Sequence, residues 1–357
     1  MRPILGWDTE LRENVSMDYA AKADAIRRPG PINEASRDYR TLVHYATLAA
    51  SSHNTQPWLF RLYESAIEIL PDLERRCPAV DPDDHHLYAS LGCAAENLLI
   101  AARAAGLEGH CTYDPKTSGL HIRFGAAAPK RSALFDAIAE RQCSRSEYDG
   151  SRLTEDELHK LEAAGQGDGV SILLITDRRR MNEVAEYVAR GNSLQFDDEA
   201  WARELKSWIR FNAGEAADTG DGLYGPVMGS PAVPRWLGRL AMRFGFSAAK
   251  QNAKDRQHIL SASAVAVIHS ESNDKPHWIE AGRCYQRVAL QATALGLKTA
   301  FINQPVEVAE LRPDFARFLE LGDRRPDLVV RIGRGPEMPG SLRRPVDDVI
   351  VQGSKSP

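Results

Sequence analysis

Two stretches of this chain, 190 residues apart, carry the same pattern, and no other feature constrains the fold as much. Gly92 to Leu107 reads GCAAENLLIAARAAGL, and Gly282 to Leu297 reads GRCYQRVALQATALGL. Five of the sixteen positions are identical: Gly92/Gly282, Ala102/Ala292, Ala104/Ala294, Gly106/Gly296 and Leu107/Leu297. Both runs lack proline and end in Gly-Leu, which predicts a helix closed by a C-terminal glycine. Small residues on several faces predict helices buried at close range against other helices. The flanks match too. Ala66 to Leu70 and His110 to Tyr113 read as strands around the first helix, and Ala264 to Ile268 and Thr299 to Ile302 around the second. Two strand–helix–strand units predict an α+β fold of two related halves, with mixed or antiparallel sheets flanked by helices. The competing reading is a coincidence between two alanine-rich helices.

Composition narrows the class. A length of 357 residues suits two domains or one large one. The 43% hydrophobic and 26% charged content is that of a globular chain, and a net charge of −4 offers no electrostatic case for nucleic acid or an anionic membrane. No apolar run is long enough to span a bilayer. The start lacks a secretory pattern, and Arg27-Arg28 runs straight into Pro29-Gly30-Pro31, which argues against a twin-arginine signal. Cys77, Cys93, Cys111, Cys143 and Cys284 are odd in number and scattered without metal-ligand spacing, so a cytoplasmic protein with free thiols and no zinc site is expected. Asp83-Asp84-His85-His86 reads as a polar turn after Pro82 rather than a metal site.

The halves differ in the polar residues they carry. The first holds Ser51-Ser52-His53-Asn54-Thr55-Gln56-Pro57-Trp58 between an amphipathic helix and a strand-like segment. Pro57 biases Gln56 away from the right-handed α region. Such a turn suits the polar edge of a planar heterocycle, which needs donors and acceptors at fixed angles, and it equally suits an ordinary capped helix end. The second half places Arg141 and Arg145 after an apolar helical run. Arg343-Arg344-Pro345 follows near the C-terminus. Arginines four apart share a helix face or converge at its end, where they bind phosphate bidentately or form a solvated charge cluster. Residues 151–211 predict a helix after Thr154, a strand at 170–175, and an amphipathic helix near 199–211 burying Trp201, Leu205, Trp208 and Ile209. Residues 212–235 read as a long loop. Trp236, Leu237, Leu240, Met242, Phe244 and Phe246 follow it, as core or as a cover over a ligand. The predicted organisation is an arm over 1–35, with a short helix near Ala20 to Arg27, a first half over 36–128, a second half over 129–350 with a lid at 212–246, and a tail over 351–357.

Together these pieces resemble the FMN-dependent nitroreductase superfamily over roughly residues 36–350, and the doubled length is similar to its Acg-type branch, in which one polypeptide mimics the family homodimer. The turn Ser51-x-x-Asn54-x-Gln56-Pro57-Trp58 looks like the family's flavin-contacting turn, and Arg141-x-x-x-Arg145 like its phosphate and flavin contact. The Gly282 helix followed by Asn303-Gln304 looks like its central helix and flavin N5 side, and Arg343-Arg344 like its C-terminal basic clamp. The resemblance implies FMN held by Ser51, Ser52, Asn54, Gln56, Arg141, Cys143, Ser144, Arg145, Asn303, Gln304, Arg343 and Arg344. Cys143 stands where the family has Ser or Thr, with Ser144 as a substitute donor, and Asn303-Gln304 stands where it has an acidic-Gly pair. Because only the first half has the turn and only the second half the arginines, a single FMN per polypeptide is implied.

The implied activity is ping-pong transfer from NAD(P)H through FMN to a nitroaromatic, quinone or similar acceptor, with no catalytic side chain and no metal. The other reading is an FMN store, closed by its lid and turning over little or not at all. A pseudo-dimeric monomer and a homodimer both fit. Gly333-Arg334-Gly335 lacks the third glycine and the following helix of a dinucleotide-binding fold, so the nicotinamide is expected to bind only transiently.

Overall fold

Two long helices cross where neither can carry a side chain. In the computed structural model, which describes residues 18–32, 39–245 and 247–352, Gly92 and Gly282 sit at that crossing. A Cβ on Gly92 would lie 2.0 Å from the Ile279 carbonyl oxygen, and one on Gly282 1.9 Å from that of Ala89. The repeated glycine is thus a steric requirement of close backbone approach. Cys93 Sγ donates to the Gly282 carbonyl at 3.2 Å, and Gln286 Nε2 donates to Asn97 Oδ1 at 2.7 Å across the same seam. Leu91, Leu98 and Tyr285 are fully buried beside it.

The first part of the chain runs α1 (18–26), α2 (Tyr39–Thr47), β1 (Trp58–Leu62), β2 (Ala66–Pro71), α3 (His85–Ala104), β3 (Leu107–Asp114), β4 (Gly119–Ala126) and α4 (Ala133–Glu140). Then come α5 (Glu155–Ala164), β5 (Val170–Ile175), α6 (Arg178–Asp197), α7 (Glu199–Trp208), β6 (Ile209–Arg210), α8 (Ala213–Thr219), β7 (Leu223–Tyr224), α9 (Arg235–Gly245) and α10 (Ala248–Leu260). The last part holds β8 (Ala264–Ser270), α11 (Lys275–Ala294), β9 (Lys298–Phe301), α12 (Gln304–Glu307), α13 (Arg312–Phe318), β10 (Arg325–Gly333), α14 (Val346–Val349) and β11 (Ile350–Val351).

The duplication is written in the sheets. One has the order β11-β1-β2-β4-β3, the other β5-β8-β10-β9. Without β11, each is an antiparallel four-stranded sheet in which the third strand of the equivalent set lies at one edge beside the fourth. In each, the central helix (α3 or α11) links the second strand to the third. Two differences break the symmetry. Helices α6 to α10 are inserted between β5 and β8, where the first half has only a tight connection from β1 to β2. The C-terminal segment also returns to the first sheet, where β11 pairs in parallel with β1.

Local readings are corrected in places. Helix α3 begins at His85, not Gly92, and the presumed turn at 83–86 is its N-terminus. The Asp81 carboxylate accepts the backbone N–H groups of His86 and Leu87 and starts the helix there. Helix α11 likewise starts at Lys275, capped by Asp274. The α1 helix covers 18–26; the rest of the predicted arm lies largely outside the described residues. Residues 212–235 contain α8, β7 and a 3-10 turn rather than only a loop. In α7 only Trp201 is fully buried; Leu205, Trp208 and Ile209 are partly exposed. Trp236 and Leu240, offered as core or cover, stand on α9 at 69% and 48% exposure, because Gly238 turns the opposite face of that helix onto Phe211. Phe246 lies outside the described residues. Among the described residues no helix is long and apolar enough to cross a membrane.

Candidate functional site

The polar turn is backbone-strained. His53, Asn54 and Gln56 have φ of 48°, 54° and 53°, a left-handed conformation that costs non-glycine residues free energy. Ser51 Oγ holds the turn by accepting the Gln56 N–H at 3.0 Å. The strain aims Ser51, Ser52, His53 and Asn54 at one cavity of about 140 Å³.

Its facing wall comes from the second half and the C-terminal segment. Arg141, Cys143, Arg145, Asn303 and Arg343 line it. Helix α4 stops at Glu140, so Arg141 and Arg145 do not share a helix face; they lie on the extended stretch that follows. Arg141 is 3% exposed, and its Nη2 donates to the Leu48 carbonyl at 3.2 Å. Its Nε and Nη1 have no partner. Arg343 donates to the carbonyls of Thr47, Leu48, Ala49 and Leu342. Arg27 joins them from α1's end, donating to the carbonyls of Ala139 and Arg141. Among the described residues none of these three guanidiniums has a carboxylate partner. Burial, then Arg141, push Arg27 down to about 10, and burial, then Arg141 and Arg27, push Arg343 well below its ordinary value. Two buried guanidiniums and a partly buried third, gathered without a carboxylate among the described residues, fit an anion.

Four predicted residues stand outside this cavity. Gln56 is fully buried: its Nε2 donates to the Gly220 carbonyl at 2.8 Å and its Oε1 accepts the Arg344 N–H at 2.9 Å. Arg344 points its guanidinium at Asp72 and the Gln56 carbonyl. Ser144 is buried, with its N–H on the Thr299 carbonyl. Gln304 faces a second, adjoining chamber of about 280 Å³, whose wall shares His53, Arg145, Leu223, Phe301, Asn303 and Glu307 with the first. Asn54 lines the cavity, yet its amide nitrogen is committed to the carbonyls of Gly222 and Leu342, both at 3.2 Å.

The first of those bonds reaches the segment predicted as a lid, and the second the C-terminal segment. Leu223 and Val227 close one side of the cavity. The Gly222 N–H donates to the Asn54 carbonyl at 3.3 Å, and Asp221 is clasped by Arg75 and Arg210. The segment is tied to the polar turn at several points.

Sequence reasoning passed over Arg27, His53, His86, Tyr285 and Glu307, which also line the cavity. In the sequence Arg27 reads as the end of a short helix and part of an excluded targeting signal, and His86 as a turn residue in preference to a metal ligand. His86 Nδ1 lies 3.3 Å from Asp81 Oδ1. Burial disfavours its charge, but Asp81 outweighs this and raises its pKa. Asp81, His85 and His86 bring ligand atoms within 4.8 Å of one another. Asp81 already serves the two helix N–H groups, and His85 Nε2 pairs with Asp327 Oδ1 at 3.0 Å, so the trio reads as a helix start with two buried histidine–carboxylate pairs.

No family model matches the chain. Among curated proteins, one of Mycobacterium tuberculosis H37Rv, provisionally named an NAD(P)H nitroreductase, is 27% identical over 334 residues, covering 87% of this chain and 90% of that protein. Another from the same strain, provisionally named NAD(P)H nitroreductase Acg, is 25% identical over 325 residues, covering 87% and 94%. Among solved structures, the NADPH:FMN oxidoreductase of Vibrio harveyi overlaps 63% of this chain and 79% of its own at 12% identity and a TM-score of 0.39.

Proposed function

We propose that this chain, a relative of the nitroreductase superfamily and of its Acg-type branch, is an FMN-holding oxidoreductase that draws electrons from NADH or NADPH and passes them to a nitroaromatic, quinone or similar acceptor. The observation that carries the reading is the trio of Arg141 and Arg343, buried, and Arg27, partly buried, with no carboxylate partner among the described residues, across one cavity from the strained Ser51–Asn54 turn. That donor set fits a phosphate monoester, which offers two negative charges and several acceptor oxygens to guanidinium N–H groups. When bound, FMN supplies two-electron chemistry in ping-pong order.

The chain's own residues then have separable tasks. Arg141 and Arg27, which keep unpartnered guanidinium nitrogens, would hold the phosphate, and Arg343, its N–H groups spent on carbonyls, would add charge beside them. Arg344, turned toward Asp72, instead fastens the C-terminal segment to the first half. Arg145 has no hydrogen-bond or ion-pair partner among the described residues, and its charge is free to stabilise the anionic edge of a reduced ring. Asn54 orients the lid against the turn.

A second reading, storage of FMN with little turnover, is favoured by the lid bonds that tie Gly220, Asp221 and Gly222 to the turn and to Arg75. An absorbance spectrum of the purified protein, followed by anaerobic NADPH, tests both. A yellow preparation that bleaches supports the oxidoreductase, and one that stays oxidised supports storage. A colourless protein that ignores added FMN ends both.

A further inference from the structure

The chamber beside the cavity is built by the inserted helices and has two kinds of wall. Phe196, Trp201, Leu205 and Ile209, from α6, α7 and β6, supply apolar and aromatic surface. Phe196 and Trp201 pack with ring centroids 5.3 Å apart and their planes tilted by 39°. The other wall is cationic. Lys254 enters from α10, Arg331 from β10 and Arg145 from the stretch after α4.

Arg331 is 1% exposed, an unusual place for a guanidinium. Its Nη2 donates to the carbonyls of Ser144 and Ser146, and the group stacks on Tyr148 at 4.1 Å, which fixes its plane. Its Nη1 has no partner. No carboxylate pairs with Arg331, Lys254 or Arg145 among the described residues. The acids that line the chamber take their hydrogen bonds from amides, Asp255 from Asn192 and Gln251, both at 2.8 Å, and Glu307 from Gln195 at 2.7 Å, while the Lys254 ammonium donates only to the Met228 carbonyl at 3.4 Å, with the Asp255 charge nearby. A buried N–H on a pinned guanidinium, beside a lysine and a third cation, calls for an anionic oxygen; the aromatic wall calls for a flat ring.

We propose that this chamber receives an aromatic carboxylate, the acid group on the Arg331–Lys254 wall and the ring against Trp201 and Phe196, so that the protein selects anionic aromatic acceptors over neutral ones of the same shape. The word acceptor rests on the oxidoreductase reading above; the charge preference rests on the chamber alone.

The test is calorimetric titration of the full chain as purified, with 4-nitrobenzoate and its neutral isostere 4-nitrobenzamide, the flavin content being recorded from absorbance. The benzoate should bind about tenfold tighter or better, the worth of one charge-assisted hydrogen bond. In Lys254→Met that preference should fall to about threefold or less with amide affinity unchanged, and Lys254→Arg should restore it. Lys254 is the chosen probe because it is only partly buried, whereas Arg331 braces the chain at Ser144 and Ser146. Equal binding of the two probes overturns the proposal. So does a preference that Lys254→Met leaves intact, which would take the carboxylate off the proposed Arg331–Lys254 wall. Protein that stays colourless when FMN is added yet keeps a Lys254-dependent preference removes only the flavin reading; yellow protein without the preference removes only this one.

Discussion

Arg141 concentrates the site's electrostatics in one side chain that lines the cavity: buried, bonded once to a carbonyl, and left with two unpartnered nitrogens. A buried cation with free N–H groups gains on binding an anion what it loses by standing alone. Arg141→Met should therefore weaken FMN binding by about 10- to 100-fold, the scale of one or two charge-assisted hydrogen bonds, as read by flavin fluorescence titration. Unchanged affinity would remove Arg141 from the phosphate cradle. A second residue-scale expectation concerns acid. Burial, then Arg145 and His86, lower His53 from 6.5 to about 4; burial, then Arg331 and Lys254, lower His258 from 6.5 to about 4. Between these values the unfolded chain binds more protons than the folded one, so stability rises with pH across the window and is lost as pH falls from about 6.5 toward 4. Urea midpoints at pH 7, 5.5 and 4.5 should fall in that order, and His258→Asn should flatten the trend.

At the scale of elements, the α3–α11 crossing and the lid make opposite demands. Alanine normally stabilises a helix over glycine by about 1 kcal/mol. At Gly92 and Gly282 the added carbon would meet backbone carbonyls, not side chains able to rotate away. Either Gly→Ala change should cost about 3 kcal/mol or more in urea unfolding, because the helices must move apart along their buried seam. The segment over the turn is held by several polar contacts, among them Asp221 between Arg75 and Arg210. Asp221→Ala should leave FMN content unchanged and raise the rate of anaerobic bleaching by NADPH about tenfold. A rate that does not move would mean that the lid does not gate the donor.

For the molecule as a whole, the duplication is unequal. The strained turn comes from the first half and Arg141 and Arg145 from the second, with Arg343 on the segment that returns to the first sheet. One polypeptide thus completes one cavity. The expected stoichiometry is one FMN per chain, retained on dilution over about two decades of protein concentration, since no subunit contact is needed to keep the site whole. Saturation at two, or loss of flavin on dilution, would contradict this.

The sequence by itself determined the doubled strand–helix–strand plan, because glycine, alanine and proline act locally and repeat visibly at Gly92 and Gly282. It also singled out the Ser51–Asn54 turn and Arg141, whose residue types are unusual where they stand. Only the tertiary structure decided which polar groups face the cavity. Gln56 and Arg344 carry suitable chemistry but are consumed by each other, by Gly220 and by Asp72. Arg27, His86 and Glu307 carry no local signal and reach the cavity from α1, α3 and α12, separated along the chain. The direction of a side chain is set by what already occupies its other side, and that is fixed only when distant segments pack.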